Sequence, residues 1–238
     1  MIFYSTDSEG FRGFSALALH LIETHRLRSC LDLGGGANPL LSLPEIEEHN
    51  LTYTLSDIEP YELGKADRGY RKLVWDACET NLSLSDTFDF VFSKTVAEHV
   101  PQPEIFYHNI FSILRPGGIT AHFFPTLYAP PFVCNLLLPD RLSSAIVNLL
   151  QKGRHEDGHH RKFRAYYRWC RGPTPGNIRR LESTGFKILE YRGYFGFRGY
   201  LQRVPSLLPL HDGMVRWLLR HPIPQLTSFA TVVMQKPL

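Results

Sequence analysis

Ten residues constrain this 238-residue chain more than any others: Cys30-Leu-Asp-Leu-Gly-Gly-Gly-Ala-Asn-Pro39. A short apolar run carrying one acid, Asp32, passes directly into three glycines. A buried parallel strand that delivers the chain to a small ligand has this form. Glycine lacks a Cβ, so the backbone there can turn tightly and let a ligand come within contact distance. Pro39 suits the first turn of a helix, whose free N–H groups are then expected to face the same spot.

The flanking pattern extends the idea. Phe14, Leu17, Ala18, Leu21 and Ile22 recur at helical spacing within residues 11–27. A strand is expected at 29–33, then the glycine loop and a short helix interrupted by Pro44. Three more β-rich runs each end in a polar residue: 51–56 at Asp57, 71–75 at Asp76, and 88–92 at Ser93. A helix over 102–114 stops at Leu114-Arg-Pro-Gly-Gly118, and a strand follows at 119–124. Thr174-Pro175 opens a helix that Gly185 ends, with strands at 186–192 and 227–236. Short apolar strands alternating with helices specify an α/β fold, a doubly wound, mostly parallel sheet of seven strands. Such sheets bind ligands at the carboxyl ends of their strands, here Gly34–Gly36, Asp57, Asp76 and Ser93. Residues 125–173 and 193–225 break the rhythm and read as insertions after the fifth and sixth strands of a single domain, 1–238.

Charge is uneven. Residues 152–180 hold nine Lys/Arg against Glu156 and Asp157, so that segment is +7 and the remainder −4 within a net +3. The four cysteines, Cys30, Cys78, Cys134 and Cys170, are scattered and form no metal- or disulfide-type spacing. His155-Glu-Asp-Gly-His-His160 matches no common zinc pattern, so no metal site is expected. The first residues lack a secretory pattern and no window is apolar enough to span a bilayer. A cytoplasmic location is expected, with the inner face of a membrane a further option.

An acid about 25 residues past Asp32 suits acceptance of two ribose hydroxyls. A dinucleotide site fits less well, because the fingerprint G-x-G-x-x-G requires a third glycine where Pro39 stands. An acid just before the loop repels a pyrophosphate and attracts an ammonium group, which favours an amino-acid-bearing nucleotide. Together, DLGGGANP, the acid of SDIEP, VWDAC, FDFVFSKTVAEHV and LRPGGI resemble, in order and spacing, the motifs of class I S-adenosylmethionine-dependent methyltransferases. The likeness is to the type 11/12 group, with Glu-His-Val after the fourth strand.

The resemblance implies a Rossmann-like sheet whose last strand is antiparallel and whose cofactor-binding core is 28–124. It implies that Asp32 and the backbone of Gly34, Gly35, Gly36 and Asn38 hold the methionine part of S-adenosyl-L-methionine, released as S-adenosyl-L-homocysteine. Asp57 would take the ribose, with Ile58 beside the adenine. Asp76 would meet the adenine amine, with Ala77 beside it, and Ser93 and Lys94 would pass near the sulfonium. His99 is the candidate base, with Glu98 behind it in rank.

The acceptor is expected to be a small molecule or a glycan- or lipid-linked compound, methylated at oxygen. The two insertions are expected to form its lid. Apolar runs at 129–138, at Leu142, Ala145, Ile146 and Leu149, and at 214–219 beside Arg216, Arg220 and His221 suit a greasy, anionic acceptor or contact with an anionic membrane. Phe163, Tyr166, Tyr167 and Trp169 among the arginines of 152–172 also allow an RNA acceptor, although a balance of only +3 makes nucleic acid the weaker reading. A catalytically weak cofactor-binding partner protein is the non-enzyme alternative.

Overall fold

The computed structural model describes residues 1–127, 133, 164–201 and 204–238. The elements along the chain are β1 (Ile2–Thr6), α1 (Asp7–His25), β2 (Ser29–Leu33), α2 (Leu43–Glu48), β3 (Thr52–Asp57), α3 (Pro60–Lys65) and β4 (Arg71–Val74). Then come β5 (Phe88–Lys94), α4 (Pro103–Ile113), β6 (Leu114–Pro125), α5 (Pro175–Glu182), β7 (Lys187–Phe195), α6 (Leu208–Arg220) and β8 (Phe229–Gln235). The strands form one sheet in the order β1-β7-β8-β6-β5-β2-β3-β4. All neighbours are parallel except β8, which runs antiparallel to both β6 and β7.

The sheet has eight strands rather than the expected seven. The addition is β1, which pairs in parallel with β7 from Ile2↔Tyr191 to Thr6↔Phe195. Its apolar residues Ile2 and Phe3 stay exposed, so it lacks the buried alternating pattern that marks a strand in sequence. The helix expected from residue 11 begins at Asp7, with Asp7 and Glu9 in its first turn complementing the helix dipole. All five of its spaced apolar residues are buried.

Two further expectations change near the glycine loop. No helix starts at Pro39. Residues 34–42 are irregular, and α2 begins at Leu43 behind a capping box made by Ser42 and Glu45. Pro44 sits in the first turn of α2, where a missing N–H costs nothing, so it opens the helix rather than interrupting it. The free donors near the strand ends therefore come from the loop and not from a helix N-terminus. Farther on, the Arg-Pro-Gly-Gly stop ends α4 but lies within β6, whose pairing with β5 is irregular between Phe88 and Phe90.

Each face of the sheet carries its own core. On one, Phe14, Ala18 and Ile22 of α1 pack with Leu55, Phe90, Phe92 and Phe123. On the other, Phe106, Ile110 and Ile113 of α4 pack with Leu31, Leu33, Val91 and Phe124. The chain order reverses between β2 and β5: β2, β3 and β4 step one way, and β5 and β6 the other. A crevice opens at such a switch point. Among the described residues no helix is long and apolar enough to cross a membrane. The apolar run 129–138 except Val133, the residues Leu142 to Leu149, the His155–His160 cluster and Phe163 lie outside the described residues.

Candidate active site

At the carboxyl ends of β2, β3, β4 and β5 lies a cavity of about 260 Å³. Gly34, Asp57, Ile58, Asp76, Ala77 and His99, six of the residues singled out in sequence, line it together. Leu33, Trp75, Cys78, Thr95, Val96, Val100, Pro101 and Phe106 complete the lining.

The loop geometry explains the glycines. Gly34 has φ +73°, and a Cβ there would stand 2.4 Å from Val96 Cγ2. Gly36 has φ +45°, and its Cβ would meet Asp57 Oδ2 at 2.7 Å. Both positions combine a left-handed backbone with a close approach, and only glycine meets both demands. A Cβ on Gly35 would press on Leu55 and on the Asp32 carboxylate. The Asn38 N–H closes the turn on the Gly35 carbonyl at 2.7 Å, with Asn38 itself exposed.

Asp57 lies half-buried at the end of β3, and its Oδ1 accepts from the Glu59 N–H at 3.0 Å. Burial, reinforced by Glu62 and Glu59, holds its carboxyl above the ordinary range. Asp76 is exposed, and its Oδ1 accepts the Cys78 N–H at 2.8 Å. The Trp75 indole is fixed by donating to the Glu79 carbonyl at 2.9 Å.

Strand alternation places the remaining candidates elsewhere. Cys30 and Asp32 face the α1 side of β2, whereas Leu31 and Leu33 face α4. Asp32 is buried beneath the loop, where its Oδ2 accepts the Tyr53 hydroxyl at 2.5 Å and the Leu40 N–H at 2.8 Å. Burial pushes its pKa up to about 6 against the opposing pull of those donors. It braces the loop from below and does not line the cavity. On β5, Ser93 faces the α4 side and bonds His122 Nδ1 at 2.8 Å. Lys94 faces the other side, its ammonium 4.4 Å from the centre of the Phe11 ring. The residues that reach the cavity from this strand end are Thr95 and Val96 instead. Thr95 holds φ +58°, rare for a branched residue, and its N–H donates to the Phe123 carbonyl at 2.7 Å. No sequence signal marks that conformation. Trp75 and Phe106 were equally hidden, since a lining aromatic looks like any core aromatic in sequence.

His99 ends the short 3₁₀ turn Ala97–His99. Its Nδ1 lies 3.1 Å from the Arg164 carbonyl, a group that only accepts, so the proton sits on Nδ1 and the lone pair on Nε2. Burial lowers the imidazole pKa and keeps the ring neutral. Glu98 Oε1 is 3.8 Å from His99 Nε2, but burial raises the Glu98 pKa to about 8, so the two are neutral neighbours rather than an ion pair. Glu98 Oε2 has no hydrogen-bond partner among the described residues. The Glu98 backbone carbonyl accepts from Tyr166 and Tyr167 at 2.7 and 3.1 Å, which ties the turn to the last part of the first insertion. In that segment Tyr167 is buried and Trp169 stacks on Tyr107 with ring centres 5.8 Å apart. Those two rings are occupied inside the fold and are not offered to bases.

Residues 31–122 match a family model described as a methyltransferase domain. Over those residues the chain is similar to the methyltransferase-domain family. An uncharacterized methyltransferase of Mycobacteroides abscessus is 30% identical over 115 residues, covering 45% of this chain and 43% of that protein. The aligned region thus spans under half of the relative's length. Among solved structures, an S-adenosylmethionine-dependent methyltransferase from Mesorhizobium loti superposes with a TM-score of 0.55 at 18% identity, covering 94% of this chain and 97% of that one. Phosphoethanolamine N-methyltransferase 2 of Haemonchus contortus, in complex with S-adenosyl-L-methionine, gives 0.54 at 17% identity over 89% and 49% of the two chains. Likeness at such identity establishes the fold.

The residues lining the cavity suit S-adenosyl-L-methionine. Gly34, whose missing Cβ leaves room for Val96, and the two acids that follow β3 and β4 line the cavity together. The lining also includes Ile58, Trp75 and Ala77, apolar groups suited to a flat ring.

Proposed function

We propose that this chain transfers a methyl group to the oxygen of a small-molecule or glycan- or lipid-linked acceptor. S-adenosylmethionine supplies the methyl already activated on a sulfonium, so neither metal nor covalent enzyme intermediate is required. The Gly34–Gly36 loop receives the methionine part, Asp57 accepts from the ribose hydroxyls, and Asp76 accepts from the adenine amine. The walls of the cavity then hold donor and acceptor in line, where proximity lowers the barrier by several kcal/mol. His99 takes the hydroxyl proton on Nε2 as the oxygen attacks. What supports this reading is His99 itself, an imidazole of lowered pKa whose Nδ1 is turned to the Arg164 carbonyl and which lines the same cavity as Asp57 and Asp76.

The test is transfer of labelled methyl from S-adenosylmethionine into cell-extract fractions separated as lipids, glycans, small molecules and RNA. Label is expected outside the RNA fraction, and Asp57→Ala is expected to abolish it with saturable cofactor binding. Label confined to RNA overturns the acceptor assignment, and a wild-type chain that fails to bind S-adenosylmethionine overturns the enzyme. With an acceptor in hand, His99→Gln is expected to lower kcat by roughly 10²–10⁴ with cofactor affinity retained. The wild-type rate should rise with pH to a plateau, with its midpoint below that of an ordinary imidazole because burial lowers the His99 pKa. A rate indifferent to His99→Gln removes the base from the mechanism.

A further inference from the structure

Helix α6 lies in the second insertion, away from the cavity, and is amphipathic in an unusual way. His211, Val215 and Leu218 form its buried face. Val215 and Leu218 pack on Phe195, and His211 Nε2 accepts the Phe197 N–H at 3.0 Å. These contacts fix the helix to the end of β7. Beside that face runs a second apolar stripe turned to solvent: Leu207 at the N-cap, then Leu210, Met214 and Trp217 at spacings of three, four and three. Their exposures are 45, 74, 39 and 52%. A helix anchored by one apolar face has no need of a second one for its own folding, and single exposed apolar residues rarely align in this way.

The charges beside the stripe indicate what covers it. Arg216 and Arg220 are exposed and have no ion-pair partner among the described residues, and His221 stacks on Trp217 with ring centres 5.0 Å apart. The acid of the helix, Asp212, is already engaged by Arg198 at 2.6 Å. A second copy docking about a two-fold axis brings a second pair of these arginines to the same interface, and the helix has no uncommitted acid to pair with them. An anionic headgroup layer instead neutralises them while the leucines, methionine and tryptophan enter the boundary with the acyl chains. Tryptophan, with an apolar body and one N–H, suits that boundary.

We infer that α6 is an interfacial helix that docks the domain on an anionic lipid surface through Leu210, Met214 and Trp217, with Arg216 and Arg220 on the headgroups. The inference stands apart from the proposed methyl transfer, since vesicle binding requires no acceptor and no turnover.

The intact chain is sedimented with vesicles of phosphatidylcholine alone and of phosphatidylcholine containing roughly one-third phosphatidylglycerol. Binding is expected on the anionic vesicles, with a blue shift of tryptophan emission that Trp217→Phe removes. Leu210→Glu and the double reversal Arg216→Glu/Arg220→Glu are each expected to weaken binding at least about tenfold. All these positions are exposed, so S-adenosylmethionine binding by each variant should match the wild type and serves as the folding control. Equal binding to both vesicle types, no binding to either, or variants that bind like the wild type overturns the inference. So does a dimer in light scattering that Leu210→Glu dissociates, since a second copy then covers the stripe.

Discussion

Gly34 shows how one missing methyl group shapes the site. Its φ of +73° and the 2.4 Å approach to Val96 are separate constraints. Gly34→Ala is expected to cost roughly 1–2 kcal/mol for the left-handed backbone alone and to weaken S-adenosylmethionine binding at least tenfold by displacing Val96. Adding Val96→Ala should restore part of the affinity and none of the backbone cost, which titration and urea denaturation of the single and double variants separate. Asp32 offers a second case at this scale. Its folded pKa, about 6, lies above the ordinary carboxyl value of 3.8, so its burial lowers stability as pH rises from about 4 to 6. The Tyr53 hydroxyl offsets that loss by donating to the charged form. Tyr53→Phe should therefore cost about 1–3 kcal/mol more at pH 8 than at pH 4. An equal cost at both pH values would mean that this bond does not hold the charge.

At the scale of elements, alternation along the strands decides which side chains reach the cavity. Neighbouring Ser93 and Lys94 leave opposite faces of the sheet, one for His122 and the other for Phe11, so a strand end legible in sequence does not reveal which of its residues meets a ligand. The Ala97–His99 turn adds a pH-dependent element. Glu98 has a folded pKa of about 8 against an ordinary value of 4.5. The folded state therefore binds its proton more tightly, and stability falls as pH rises from 4.5 through 8. Glu98→Gln removes that dependence. Its stability relative to the wild type should be near constant below pH 4.5 and climb with pH, by up to roughly 4 kcal/mol at pH 9. Thermal unfolding of the two proteins at pH 4, 7 and 9 provides the check, and parallel curves would mean that Glu98 is charged in the fold.

Across the whole molecule, the sheet separates two tasks. The cavity draws on β2 to β5, whereas β1 closes the opposite edge through β7. Deleting residues 1–5 removes that edge and the bond from the Met1 ammonium to the Leu189 carbonyl. The expected outcome is a fall in Tm of roughly 2–10 °C with S-adenosylmethionine affinity within about twofold. A tenfold loss of affinity would show that the far edge supports the cavity after all.

The sequence alone determined the strand–helix alternation, the glycine loop and the acids closing the second and third expected strands. These features depend on local chemistry: side-chain period, turn residues and the absence of a Cβ. Asp57 and Asp76 were legible as candidates for the same reason, each standing just past an apolar run, and His99 through the resemblance carried by Glu-His-Val. Only the tertiary structure decided that Asp32 lies under the loop, that Thr95 and Val96 replace Ser93 and Lys94 at the cavity, and that β1 joins the sheet. Each of those outcomes depends on partners far away in the chain, namely Tyr53, Phe11, His122 and Tyr191, and local pattern carries no information about which distant residue will fill the other side of a contact.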